Sequence, residues 1–363
     1  MTSARRLTYI DWARGIAVLI MIEAHTLDAW TRAADRRGVW FGDASILGGF
    51  AAPMFLWLAG VGVAMSAART YERTGSRSSA AYSIARRGLE IFILAFLFRL
   101  QAFILSPGAH PVTLFRVDIL NVMGPAIVAT GIVWACGTTA AVRVLALGVA
   151  ATFIAMITPV IRQMAAIDAL PAWIQWYLRP TGDHTTFTGL PWAGFVFAGG
   201  AVGVLIAEMR DERLERRLQI ALALTGAALI ALGFYTAAQP SIYRASSFWT
   251  SSPTWFCIRT GILMLALAGL YLFETMLARA GVALRPLARM GQSSLFVYWI
   301  HVELVYGYAS WWWHRRLPLW GTALAYAAFC TLIYGAVRLR DRIVDARRTR
   351  AQRAGPTRQI VTA

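Results

Sequence analysis

Long apolar segments alternate with short polar connections along most of this chain. Ten segments are mainly apolar over about 20 residues, the length at which a helix crosses a hydrocarbon core of about 30 Å. They cover residues 9–27, 46–68, 88–106, 115–136, 141–161, 189–208, 217–237, 254–277, 293–311 and 318–338. The pattern predicts an all-α fold: a polytopic bundle of about ten transmembrane helices that forms a single domain over residues 1–340.

Arginines are unevenly distributed among the connections. The connection 69–87 holds five arginines and one acidic residue, and 278–291 holds three arginines and no acidic residue, whereas 28–43 and 162–188 are balanced. Cytoplasmic loops of membrane proteins are enriched in basic residues. The alternation therefore predicts an even number of spans with both termini in the cytoplasm. We predict that residues 341–363 form a basic, disordered cytoplasmic tail that can contact anionic lipid.

The composition is typical of a membrane protein. Hydrophobic residues make up 58% of the 363 residues, charged residues make up 15%, and the mean hydropathy is +0.54, unlike a soluble domain. A net charge of +17 also occurs in nucleic-acid-binding proteins, but here the basic residues lie in the connections and the tail, where membrane topology places them. We therefore predict an integral protein of the bacterial inner membrane that contacts lipid and does not bind nucleic acid.

The lysine and cysteine content limits the catalytic chemistry that the chain can perform. All 35 basic residues are arginine, so the chain has no lysine for a pyridoxal Schiff base or a Walker P-loop. Cys136, Cys257 and Cys330 lie singly within apolar segments. Cysteines in such surroundings usually act as small buried hydrophobic side chains. Their spacing predicts neither a metal site nor a disulfide framework.

The first apolar segment contains several polar residues. The stretch IDWARGIAVLIMIEAH carries Asp11, Arg14, Glu23 and His25, although a central arginine costs about 2.5–3.5 kcal/mol on membrane-insertion scales. A helix turns about 100° per residue, which places Glu23 away from the other three. Arg14 and His25 point the same way and lie about 16 Å apart along the axis. One stripe, a polar track across the membrane, holds Asp11, Arg14, Val18, Met21, His25 and Asp28.

Two interpretations of this polar track stay open. In the simpler one, Asp11 and Arg14 form an ion pair at the inner surface, and His25 extends toward the outer surface. In the other, the track faces an aqueous or ligand-filled interior shared with polar residues of later segments. His301 alone would be more typical of packing than of catalysis. The later polar residues are Arg99, Arg116, Asp118 and Arg259, with Ser294, Tyr298 and His301 on one face of the stretch GQSSLFVYWIHVELVYG.

Three motifs, in order, resemble those of the transmembrane acyltransferase superfamily. The first is DWARGIAVLIMIEAH, in which ten residues separate Arg14 from His25. The second is PMFLWLAGVGVAMSAAR with the basic connection that follows, and the third is MGQSSLFVYWIH at residues 290–301. The segment LPWAGFVFAGGAVG at residues 190–203 is similar to one in the branch that contains the heparan-alpha-glucosaminide N-acetyltransferase domain. The chain resembles that branch more than the bacterial polysaccharide O-acetylases.

This resemblance implies acyl transfer, usually of acetyl from cytoplasmic acetyl-CoA, to the amine or hydroxyl of a glycan or lipid-linked sugar across the membrane, without a metal. His25 is the expected general base, because an imidazole can take a proton near neutral pH, and a covalent acyl-histidine is the alternative. A guanidinium binds phosphate bidentately. The arginines expected to hold the CoA phosphates are Arg14, Arg86, Arg87 and Arg99.

Five further residues are expected to support the reaction on the same resemblance. The acidic residues would orient their neighbours on the first segment, Asp11 acting on Arg14 and Asp28 on His25. The hydroxyls of the late segment would bind substrate by donating a hydrogen bond to the developing oxyanion. The five residues are Asp11, Asp28, Ser294, Tyr298 and the catalytic candidate His301.

Two other functions fit part of the sequence. A proton-coupled secondary transporter of a small anion would also use buried arginine and histidine, although the chain shows no convincing internal repeat. A structural or assembly protein would explain the apolar segments but not the polar track. The acyltransferase hypothesis explains the segments, the track and the motifs together.

Overall fold

The computed structural model describes residues 7–106 and 110–353. Regular secondary structure in these ranges consists of α-helices and short 3₁₀ turns, which confirms the predicted all-α fold. Each of the ten predicted segments overlaps a helix, and α2, α7 and α11 are short additional helices. The helices are α1 (Thr8–Trp30), α2 (Val39–Gly48), α3 (Ala51–Thr74), α4 (Arg77–Leu105), α5 (Ile119–Cys136), α6 (Ala140–Gln163), α7 (Ala172–Leu178), α8 (Trp192–Ala207), α9 (Glu212–Ala237), α10 (Pro253–Arg279), α11 (Arg285–Gln292), α12 (Ser294–Tyr306) and α13 (Leu319–Arg353).

Seven stretches among the described residues are long and apolar enough to cross a membrane. They are Val39–Thr74, which contains α2 and α3, and stretches on α4, α5, α6, α9, α10 and α13. α8 and α12 are apolar but shorter, with 16 and 13 residues. α1 has 23 residues, but its charged side chains set it apart from the apolar helices. The count of about ten spans and the cytoplasmic location of both termini therefore stay predictions.

Glycines bring α3 and α8 into close contact. A Cβ atom added to Gly60 would lie 1.9 Å from the Val196 carbonyl oxygen, and one added to Gly199 would lie 1.8 Å from the Trp57 carbonyl oxygen. Membrane helices use small residues in this way, because close backbone approach increases their van der Waals contact. The contact fixes α3, which in turn packs against α1.

A second pair of glycines joins the beginning of α1 to α11. A Cβ atom on Gly291 would lie 2.0 Å from the Asp11 carbonyl oxygen, and one on Gly15 would lie 2.3 Å from the Leu287 carbonyl oxygen. Because α12 begins directly after α11, this contact also places α12 beside α1. The first and third sequence motifs therefore meet in space.

The far end of α1 is tied to the segment before α13. The Leu317 N–H donates to the Trp30 carbonyl oxygen at 2.9 Å, and the Arg32 N–H donates back to the Leu317 carbonyl oxygen at 2.8 Å. The Asp35 carboxylate then accepts from the first N–H of α13, that of Leu319, at 2.8 Å. α1 is therefore held at both ends, by α11 and by this connection.

α13 continues beyond the predicted boundary between domain and tail. The helix runs without a break from Leu319 to Arg353, so residues 341–353 extend it instead of beginning a disordered tail. The reason lies in the sequence: neither glycine nor proline occurs between Gly335 and Gly355, and the alanines and arginines there favour helix. Residues 354–363, the rest of the predicted tail, lie outside the described residues.

Candidate active site

A cavity of about 1450 Å³ lies between α1, α3, α4, α5 and α12. The predicted polar track faces it, since Arg14, Met21, His25 and Asp28 are among its lining residues. Glu23, which the helical geometry placed off the track, lies against Gly48 instead. Arg14 and His25 share one cavity, and this arrangement favours the interior interpretation of the track over an ion pair confined to the surface.

His25 lines the cavity and is hydrogen-bonded to His301, which is fully buried. Nδ1 of His25 lies 2.8 Å from Nε2 of His301, and the two rings are parallel within 4°. Nδ1 of His301 lies 2.8 Å from the Val297 carbonyl oxygen. A carbonyl oxygen only accepts, so the proton of neutral His301 is on Nδ1 and its Nε2 accepts from His25. Neutral His25 therefore carries its proton on Nδ1 and keeps a lone pair on Nε2.

Asp28 also lines the cavity, but it bonds to residues other than His25. The Tyr306 hydroxyl donates to Asp28 Oδ2 at 3.0 Å, and Arg36 forms an ion pair with Oδ1 at 3.4 Å. The ring of Tyr306 packs edge-on against His25, with 5.6 Å between the centroids. His301, not Asp28 as predicted, makes the hydrogen bond that orients His25. α12 packs closer to the imidazole than the next turn of α1 does.

Arg14 lies in the opposite part of the cavity with its predicted partner Asp11. Arg14 Nη1 is 3.7 Å from Asp11 Oδ1, and the Gln292 side-chain amide donates to Asp11 Oδ2 at 3.1 Å. Asp11 is buried behind the arginine. A Cβ atom on Gly62 of α3 would lie 3.0 Å from Arg14 Nη2, so this glycine leaves room for the guanidinium.

Arg86 and Arg87 line the same part of the cavity. Gly48, just before α3, lies against Ala24 and Gly62 lies against Arg14, so α3 runs antiparallel to α1. α3 ends 12 residues after Gly62, and Arg86 and Arg87 follow the first residue of α4 by 9 and 10 positions, so the turn between the two helices returns these arginines to the level of Arg14. Both arginines are exposed and pair with Glu90 at 3.2 Å. The structure therefore brings together three of the four arginines expected to hold phosphate.

Arg99 lies apart from those three arginines. It is 13 residues beyond Arg86 on the same helix, a displacement of about 20 Å. Its Nε donates to the Thr113 carbonyl oxygen at 2.9 Å, and its Nη1 lies 3.6 Å from Asp118 Oδ2. Arg99 therefore lines the part of the cavity that holds His25. Its position in the middle of a predicted segment could not reveal this location.

α12 contributes the predicted hydroxyls and a residue that the sequence analysis missed. Ser294 and Tyr298 line the cavity, and the Tyr298 ring lies 6.0 Å from that of His301. Glu303 also lines the cavity, but the sequence analysis gave it no role. The available signal was an acidic residue within an apolar segment, which is costly in a membrane and typical of functional positions.

Comparison with protein families supports the resemblance found in the motifs. Residues 6–240 match the family described as heparan-alpha-glucosaminide N-acetyltransferase, catalytic. The match includes Arg14 and His25, whereas His301 lies after it. Comparison with curated proteins gave no match. Because the family match covers more than half of the 363 residues, the chain belongs to the heparan-alpha-glucosaminide N-acetyltransferase catalytic-domain family.

Proposed function

We propose that this protein transfers an acetyl group from cytoplasmic acetyl-CoA to the amine or hydroxyl of a sugar on the other side of the membrane, with His25 as general base. The observation that carries the proposal is the hydrogen-bond chain from His25 through His301 to the Val297 carbonyl oxygen, in the wall of a cavity that Arg14 also lines. A fixed imidazole with a lone pair available on Nε2 is suited to deprotonate an attacking nucleophile.

The cationic part of the cavity is the proposed site for the CoA phosphates. Arg14, Arg86 and Arg87 line it, and guanidinium groups bind phosphate through paired, charge-assisted hydrogen bonds. The thioester arm would then extend along α1 to His25, over the distance of about 16 Å given by the helical rise. Arg99 pairs with Asp118 in the other part of the cavity and is not included in this phosphate site.

The proposed transfer needs one proton to move twice. Nε2 of His25 takes a proton from the sugar amine or hydroxyl as its nitrogen or oxygen attacks the thioester carbon. A C–N or C–O bond forms, the C–S bond breaks, and the proton on His25 passes to the leaving thiolate. His301 holds the Nδ1–H of His25 throughout, and Ser294 or Tyr298 donates to the oxyanion.

The alternative route passes through a covalent acetyl-histidine. In that route the Nε2 lone pair attacks the thioester directly, so CoA is released before any sugar is added. Rapid-mixing measurements of free thiol with acetyl-CoA alone distinguish the routes. A burst equal to the enzyme concentration indicates the covalent route, and no burst indicates direct transfer to the sugar.

The central experiment uses sealed vesicles, labelled acetyl-CoA and a panel of amino and hydroxy sugars. His25→Ala is expected to lower transfer by about 10²–10⁴-fold, the usual contribution of a general base. His314→Ala is the matched control, because His314 stacks on Trp311 and does not line the cavity. Full activity of His25→Ala would refute the proposal, and counterflow of a labelled anion without acetyl transfer would support the transporter instead.

A further inference from the structure

Glu303 lines the cavity with a carboxylate whose oxygens are not hydrogen-bonded. The residue is 8% exposed, and neither Oε1 nor Oε2 has a hydrogen-bond partner among the described residues. The Ser106 hydroxyl lies close enough to interact with the carboxylate, but only through a long or poorly aligned contact. Buried polar groups are nearly always hydrogen-bonded, and an isolated buried carboxylate is costly. The arrangement therefore indicates a partner that arrives from the cavity.

The neighbouring cations do not neutralise Glu303 directly. Arg99 is close enough to interact electrostatically, but its Nε donates to the Thr113 carbonyl oxygen and its Nη1 pairs with Asp118. Arg116 lines the same part of the cavity and forms no ion pair with Glu303 at the usual distance of about 4 Å. The carboxylate therefore has no charged partner, and rotation of its side chain toward the cavity would let it accept hydrogen bonds from a bound donor.

Of the two substrates in the proposed reaction, the sugar fits this requirement better. The phosphates of acetyl-CoA are anionic and its thioester only accepts hydrogen bonds, so neither pairs with a carboxylate, and its few amide N–H and hydroxyl donors are spread along an extended arm. Sugar amines and hydroxyls donate. Tyr306, one turn after Glu303 on α12, lines the same cavity and packs against His25. A sugar bound to Glu303 would therefore lie close to the base.

We propose that Glu303 is a specificity-determining residue that binds the sugar and not acetyl-CoA, through hydrogen bonds from the sugar's amino or hydroxyl groups. This inference rests on the proposed function. A carboxylate makes stronger hydrogen bonds than a neutral acceptor does, so the proposal predicts that the KM for the sugar depends on the charge of residue 303. The side chain of Glu303 holds the sugar and takes no part in bond making.

The test is the substitution Glu303→Gln in the full chain, purified in lipid nanodiscs, with Glu72→Gln as the control for an exposed glutamate. Glutamine keeps the shape of the side chain and removes its charge. We expect the KM for glucosamine to rise about tenfold or more, from the loss of a charge-assisted hydrogen bond. The KM for acetyl-CoA and the thermal unfolding midpoint should stay at their original values. An unchanged KM for glucosamine, or an equal rise in both KM values, overturns the proposal.

A binding measurement separates this inference from the proposed function. If the unmodified protein transfers no acetyl group to any sugar, the proposed function fails. Equilibrium binding of labelled glucosamine to the unmodified protein and to Glu303→Gln then still decides the role of Glu303. Weaker binding by the variant supports the assignment, and equal binding, including none by either protein, overturns it.

Discussion

Nδ1 of His25 and Nε2 of His301 are 2.8 Å apart, and the single hydrogen between them comes from His25. The pair accepts one more proton, on Nε2 of His25, without disturbing this hydrogen bond. A second added proton would place two N–H groups against each other across the same distance. The arrangement therefore fixes both the tautomer of His25 and the atom at which it acts as a base.

Replacement of His301 tests this relationship. We expect His301→Leu to lower kcat about 100-fold, because His25 can then rotate or adopt the other tautomer, and an unaligned base loses much of its effect. The KM for acetyl-CoA should not change. His301→Gln retains a side-chain oxygen that can accept from Nδ1 of His25, and it should keep more activity than His301→Leu. Equal activities of the two variants would show that His301 acts only by filling space.

The pair also shows how far the sequence predicts the site. Helical periodicity along α1 correctly placed Arg14, His25 and Asp28 on one face, because relations within a helix depend only on residue spacing. The orienting partner of His25 is 276 residues away along the chain. That partner is determined by packing at Gly15 and Gly291, and helical spacing holds no information about it.

The charged residues show the same difference between what residue spacing predicts and what depends on helix packing. Composition and apolar length predicted the helices, and the predicted basic connection 69–87 grouped Arg86 and Arg87 on the expected cytoplasmic side, although both lie within α4. The position of Arg99 in its segment suggested only that it lies within the membrane. Its separation from the other arginines follows from the direction of α4 relative to α1, which the described contacts of α3 establish.

Glu90 is predicted to weaken the binding of acetyl-CoA. It pairs with both Arg86 and Arg87 at 3.2 Å and therefore competes with phosphate for them. We expect Glu90→Gln to lower the KM for acetyl-CoA up to about fivefold, since exposed ion pairs contribute little. Acetyl-pantetheine, which lacks the nucleotide phosphates, is the control donor. A similar fall in its KM would mean that Glu90 acts on some other part of the donor.

Gly62→Ala tests the position of Arg14. The added Cβ atom would lie 3.0 Å from Arg14 Nη2, so the guanidinium must shift. The KM for acetyl-CoA should rise about tenfold, which corresponds to one charge-assisted hydrogen bond. Gly148→Ala is the matched control, because a Cβ atom there meets nothing within 4 Å. A normal KM in Gly62→Ala would argue against phosphate binding by Arg14.

The contact between α3 and α8 should tolerate no added methyl group. At Gly60 and Gly199 the new Cβ atom would lie 1.9 Å and 1.8 Å from a carbonyl oxygen of the facing helix, and backbone cannot move aside as a flexible side chain can. We expect each alanine variant to lose about 1–3 kcal/mol of stability or more. Fluorescence-detected size exclusion after heating measures the loss. Midpoints equal to that of Gly148→Ala would contradict the packing.

Asp35 links the connection after α1 to the beginning of α13, and this link should weaken in acid. The hydrogen bond from the Leu319 N–H at 2.8 Å, with help from Arg32, lowers the pKa of Asp35 because both favour the charged carboxylate. A carboxyl group whose pKa is lowered by folding stabilises the fold above its unfolded pKa, about 3.9. That stability is lost as the pH falls through the folded value. Asp35→Asn should therefore lower the thermal midpoint at pH 7, and this deficit should shrink at a pH below about 3.9. Asp43→Asn, at an exposed aspartate of α2, should differ at neither pH, and a constant deficit of Asp35→Asn across the range would show that the charge is not the cause.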